Sequence, residues 1–246
     1  MNLSPRMQYF VETIMEWAVK NIRRFPWRNR ITPKRILIAE ILLQRTPANR
    51  VAERYQEIID LFDQDMTMID DSTLITQFKS FGLTKRFVWI RNALKQIDEK
   101  HSGKVPKSYE ELIDLPGVGE YTANAILCLA YDFTVPMTDT NVIRVLSRFF
   151  YGQNHQSGKS DSELKELATL LVPNDNPKTY NLGLLDFGAM VCKKNPLCTD
   201  CIFSITCKKK IEVSPSLILC DKWRCKQKDL VLGTQSIANL VKFHSF

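Results

Sequence analysis

The sequence predicts an all-α protein, and three observations carry that expectation. Ten segments show helical spacing or composition, no segment alternates convincingly as a strand would, and the breaks between segments are short and rich in Gly, Pro and Asn. The chain has 246 residues, 44% of them hydrophobic, enough for one large or two small domains with a proper core.

The first helix is expected over 5–22. Its stretch "MNLSPRMQYFVETIMEW" is broken by charged and polar residues, so it reads as neither a signal peptide nor a membrane span. The second is expected over 34–44, where "ILIAEILL" is apolar from Ile36 to Leu43 except at Glu40. A helix apolar nearly all round is buried, and a carboxyl desolvated there holds its proton more tightly, a state suited to donating protons. The alternative is that Glu40 marks the one wet face.

Helices follow over 48–62, 72–79 and 85–100, then a short one over 108–113 in "SYEELIDLP". The next covers 119–131, where Cys128 reads as a small core residue. Over 140–150 the apolar side is Val142, Val145, Leu146 and Phe149, and Asp139 directly precedes it, a position at which Asp is a preferred N-cap. Segments 160–172 and 180–190 complete the set, with linkers at 151–161 and 173–180. The residues after Cys207 are basic and mixed, and their pattern predicts no fold.

The formal charge of +7 and pI near 9.0 suit a polyanionic partner, or simply a well-solvated surface. With no run of eighteen apolar residues, a soluble cytoplasmic protein is expected.

Two clusters carry chemistry. In "LPGVGEYTAN", Gly117 and Gly119 stand two residues apart ahead of a helix. A Gly-x-Gly turn there bares successive backbone N–H groups at the positive end of the helix, which suits a phosphate; a bare helix-to-helix turn is the plainer alternative. Such a grip holds a nucleic-acid backbone in register and carries no sequence information. The other cluster is "CKKNPLCTDCIFSITC", in which Cys192, Cys198, Cys201 and Cys207 are separated by five, two and five residues. An intracellular setting disfavours disulfides, so the four thiols point to a metal site. Zinc and an iron–sulfur cluster both accept four thiolates, and spacing alone does not choose between them. Cys220 and Cys225 read as surface thiols or additional ligands.

The run from Leu115 to Arg148 resembles the helix-hairpin-helix DNA glycosylase superfamily, whose L-P-G-V-G hairpin is followed about twenty residues on by an Asp, here Asp139. The four cysteines are similar to those of its iron–sulfur branch, which includes endonuclease III, adenine glycosylases of the MutY type and archaeal mismatch-specific thymine glycosylases. The resemblance covers about residues 25–207, and "FPWR", "AEILLQRT", "GVGEYTANAI" and "NLGLLDFGAMVC" look like the MutY and thymine-glycosylase group. It implies two helical lobes with a DNA cleft between them: a six-helix barrel with the helix-hairpin-helix over 29–139, and an iron–sulfur domain of 1–28 plus 140–207. Residues 208–246 form a tail of unknown fold. It further implies a [4Fe–4S] cluster on Cys192, Cys198, Cys201 and Cys207, although the family's usual spacing is six, two and five and this chain is one residue shorter in the first loop.

Carried over position by position, Asp139 would stabilise positive charge on the sugar, Glu40 would protonate or orient the leaving base, and Tyr121 would line the pocket. Endonuclease III has a catalytic Lys where this chain has Tyr121, so the resemblance implies a monofunctional enzyme with weak or no strand cleavage. Leu83 would be the apolar wedge that fills the gap left by a flipped nucleotide, or else a core leucine; Gln44 and Arg45 would meet the orphaned opposite base. The implied partner is double-stranded DNA with a mismatched or damaged base, bound by a monomer without a membrane and associated with the nucleoid in a prokaryote.

The preferred target is thymine or uracil opposite guanine. Adenine opposite guanine or 8-oxoguanine is the alternative, disfavoured because the 39 residues after Cys207 fall short of the domain MutY enzymes add. A DNA-binding module without catalysis is the alternative of another class, against which the retained Glu40 and Asp139 argue.

Overall fold

The computed structural model describes residues 3–63, 72, 79, 84–152 and 161–209, and among them the chain is helical with no strand. The elements are α1 (Pro5–Asn21), α2 (Pro26–Asn29), α3 (Pro33–Leu43), α4 (Ala48–Phe62), α5 (Thr84–His101), α6 (Tyr109–Ile113), α7 (Glu120–Tyr131), α8 (Thr140–Tyr151), α9 (Asp161–Leu171) and α10 (Pro177–Met190). Among the described residues no helix is long and apolar enough to cross a membrane. The helix expected over 72–79 falls almost wholly outside the described residues, as do Leu83, Cys220 and Cys225.

Local chemistry explains where these helices begin. Ser4 and Thr32 cap α1 and α3 by accepting from the N–H of Met7 and Arg35, and Pro5 and Pro33 sit in the first turn, where a missing N–H is harmless. Ser108 caps α6 in the same way. The last helix starts at Pro177, inside the segment expected to be a linker, because a proline at the first helical position starts a helix as readily as it breaks one.

The chain divides into two compact units, one of Met1–Ile22 with the described residues from Thr138 onward, the other of Arg23–Met137. The segment Phe25–Trp27 lies in the second unit: the two rings stack with centroids 4.7 Å apart, and Trp27 meets Tyr55 of α4 edge-on at 5.5 Å. In that unit α3 is the central element, packed by α4, α5 and α7, with every residue from Ile36 to Leu42 buried.

In the first unit α1 packs along α10, which in turn meets α8. The approach of α1 is close enough that a Cβ on Gly183 would stand 2.4 Å from the Cβ of Ala18, so only glycine fits. Beside this pair lies an aromatic cluster. Phe203 stacks on Phe10 with centroids 5.1 Å apart, tilts against Phe149 at 4.7 Å and meets Phe187 edge-on at 5.5 Å. This ring belongs to the cysteine segment and is 2% exposed, so it anchors that loop in the core. Phe203→Ala should cost about 3–5 kcal/mol of folding free energy by denaturant titration; a loss under about 1 kcal/mol would show that the loop is held some other way.

Candidate functional site

In the second unit, the hairpin Leu115–Gly119 joins α6 to α7 and turns through the bond from the N–H of Val118 to the carbonyl of Leu115 (3.0 Å). Its two glycines have different reasons. Gly117 has φ +81°, and a Cβ there would lie 2.9 Å from the Cβ of Trp89, so both backbone and space demand glycine. Gly119 is extended, with φ −108°, is exposed, and a Cβ on it would meet nothing within 4 Å. The fold itself has no need of glycine there. Gly119 is the N-cap of α7 and brings no capping side chain.

Behind that turn stands Tyr121, half-buried in the first turn of α7. On α3, Glu40 is 6% exposed, with apolar neighbours buried on all sides of the helix. The wet-face alternative is thereby excluded. Its charge also acts on Tyr55, whose hydroxyl is pushed above its ordinary value, chiefly by burial. Gln44, at the C-cap of α3, donates from Nε2 to the carbonyl of Gly117 (2.7 Å), and Arg45 beside it is exposed with φ +55°, in the left-handed region that few non-glycine residues adopt.

In the first unit, Asp139 caps α8. Its Oδ1 accepts from the N–H groups of Asn141 and Val142 (2.8 Å each), and its Oδ2 accepts from Asn141 Nδ2 (2.6 Å). Burial raises its pKa above the usual carboxylate value, while these bonds and the charge of Arg144 pull it back. A relay continues from it: Arg144 donates to Asn141 Oδ1 (2.7 Å), to the carbonyl of Gly188 (2.9 Å) and to the carbonyl of Cys192 (2.8 Å). The cap of α8 is thus tied to the start of the cysteine loop.

One turn on, Arg148 donates to the carbonyls of Lys193 (2.6 Å) and Lys194 (3.0 Å) and approaches Cys192 Sγ (3.6 Å), while Cys207 Sγ donates to the carbonyl of Arg148 (3.5 Å). All four predicted cysteines line one cavity of about 340 Å³, together with Arg148 and Phe203. None of the four is in a disulfide. Burial, with the charges of Cys192, Cys207 and Cys198, pushes the Cys201 thiol up to about 12. Among the described residues no three His, Cys, Asp or Glu side chains close round a single metal ion.

Sequence reasoning missed Trp89, Asn141, Arg144 and Arg148 as site residues. The only available signal was the four-residue spacing of Arg144 and Arg148 on α8, off its apolar side.

Comparison with known proteins shows the family and the fold. A helix-hairpin-helix motif matches residues 100–129. The thymine/uracil-DNA glycosylase of Methanothermobacter thermautotrophicus is 34% identical over 83% of this chain and 94% of its own length. The adenine DNA glycosylase of Buchnera aphidicola subsp. Schizaphis graminum is 32% identical over 78% of this chain, which spans 57% of that protein. A solved thermostable thymine-DNA glycosylase superposes with a TM-score of 0.77 at 33% identity, over 84% of this chain and 97% of that one. An identity of 34% sustained along nearly all of one relative, with the hairpin where the motif requires it, means that the chain belongs to the helix-hairpin-helix DNA glycosylase family.

Proposed function

We propose that the protein is a monofunctional DNA glycosylase of base excision repair, excising thymine or uracil opposite guanine. The observations that carry this reading are two carboxyls, each sheltered within its own unit: Glu40 at 6% exposure, and half-buried Asp139 bonded to the N–H groups of Asn141 and Val142. Ionised acids on a surface need no such placement; acid–base chemistry does. Alignment along almost the full length of thymine glycosylase relatives supports the choice of base.

In this reading the hairpin holds a phosphate at Gly119, and the target nucleotide leaves the stack, since its sugar bond is unreachable inside a duplex. Leu83 would fill the gap, with Gln44 and Arg45 near the opposite base. The bond from C1′ to the base nitrogen breaks, its electron pair leaving with the base, and Glu40 supplies or directs the proton that neutralises it. Ionised Asp139 stabilises the sugar cation and takes the proton from the water that adds to C1′. Tyr121 has no amine to attack the sugar, so it forms no Schiff base and the strand stays joined.

Cys192, Cys198, Cys201 and Cys207 would hold a [4Fe–4S] cluster. Four thiols lining one cavity of about 340 Å³ leave room for a multi-atom group held by four thiolates. When bound, the group supplies a cross-link that fixes the basic loop, not chemistry at the sugar. Purified anaerobically, the protein should be yellow-brown, absorbing broadly near about 400 nm, with roughly four irons per chain. Stoichiometric zinc in protein from iron-replete cells would contradict this. Cys198→Ser should lose DNA affinity or solubility together with activity.

The protein would act as a monomer in the cytoplasm, at the nucleoid in a prokaryote. Labelled duplexes each bearing one mismatch test the base assignment: release of thymine or uracil opposite guanine supports it, and release of adenine alone moves the protein to the adenine glycosylases.

A further inference from the structure

We infer that Trp89 is a positioning residue for the DNA grip, presetting the hairpin and lying along the bound strand; this rests on the DNA-binding reading above. Gly117 is held from two directions. Its carbonyl accepts from Gln44 Nε2 at 2.7 Å, and its Cα faces the Trp89 side chain so closely that a Cβ would lie 2.9 Å from Cβ and 3.3 Å from Cγ and Cε3. The same helix, α5, reaches the segment after α3: Arg86, one turn before Trp89, donates from NH1 to Thr46 Oγ1 at 2.7 Å. Three ties therefore close a triangle of α5, residues 44–46 and the hairpin. Pinning Gly117 at φ +81° sets the direction in which the next residues, and the N-terminus of α7, point.

A core tryptophan would do the bracing alone, but Trp89 is 38% exposed. Its ring packs on Gly117, two residues before Gly119, and stays partly exposed beside the hairpin. An aromatic face with a polar edge suits the sugar–phosphate strand beside a phosphate grip, as in other nucleic-acid channels.

The test compares wild type, Trp89→Phe and Trp89→Ala by fluorescence anisotropy on labelled duplexes, matched and mismatched, with single-turnover base release at saturating enzyme. Trp89→Ala should weaken binding roughly tenfold on both duplexes. The loss should fall on Kd more than on the saturated rate, and Trp89→Phe should recover most of it. Tryptophan emission, read in a Trp223→Phe background, should change as unlabelled DNA is added, and that change should vanish when Trp89→Phe is introduced, which leaves Trp17 and the buried Trp27 as controls. If Trp89→Ala does not fold, the emission comparison with Trp89→Phe decides. Wild-type affinity in Trp89→Ala, or an emission change that persists in Trp89→Phe, overturns the inference while leaving the DNA reading intact. Failure of the wild type to bind any duplex overturns both.

Discussion

Asp139→Asn is expected to give a folded protein that binds mismatched DNA but releases base at least about a hundredfold more slowly. Asn caps a helix as well as Asp does, so α8 starts where it did; what disappears is the negative charge proposed above to stabilise the sugar cation. The folding consequence follows from the raised pKa. A carboxyl whose folded pKa lies above its unfolded one keeps a proton that the unfolded chain has already released. Its contribution to stability therefore falls as pH rises from the unfolded pKa through the folded one, and stays lowered above. Asn does not titrate, so the variant escapes that loss, against which stands the bond from Asn141 Nδ2 to Oδ2. Its unfolding midpoint at neutral pH should move little. In the wild type, base release should decline on the acid side at a pH above the ordinary carboxylate range, and Arg144→Gln, which removes a charge that lowers the Asp139 pKa, should shift that limb upward. Full activity in Asp139→Asn would leave the residue a helix cap and nothing more.

The paired glycines should separate folding from binding. Gly117→Val puts a β-branched residue at φ +81° and drives its Cβ into Trp89, so it should cost at least about 3 kcal/mol or prevent folding. Gly119→Val enters open space at an extended backbone that valine accepts, so it should change stability by no more than about 1 kcal/mol, the penalty of a poorer N-cap. Its DNA affinity should nonetheless drop on matched and mismatched duplexes alike, because the new methyls occupy the open space in which the proposed function places a phosphate. Unchanged binding by Gly119→Val would remove the hairpin from the DNA interface; loss confined to mismatched DNA would make it a reader of the lesion.

These expectations could be formed because much of the site is local in sequence. A cap is written in one residue and the four after it, so Asp139 was legible both as a helix start and as a candidate acid. Glu40 within "ILIAEILL" showed its burial through its neighbours, though whether it lay on a wet face needed the packing of α4, α5 and α7 on α3. Short or proline-started helices were not legible: α2 is four residues long, and Pro177 read as a break. Contacts far apart in sequence were invisible for a different reason. Gln44 to Gly117 and Arg144 to Cys192 span 73 and 48 residues, and no local periodicity encodes a hydrogen bond between elements that only tertiary packing brings together. For the same reason the second glycine looked like the first until the surroundings of each were known.

The fate of the DNA strand tests the central claim most directly. Wild-type enzyme, given an end-labelled duplex with thymine opposite guanine, should leave the strand intact until alkali breaks it at the abasic site, and borohydride added during the reaction should trap almost no covalent complex. Efficient trapping, with strand cleavage before alkali, would mean that a lysine elsewhere in the chain attacks the sugar, and the monofunctional mechanism built on Asp139 and Tyr121 would be wrong.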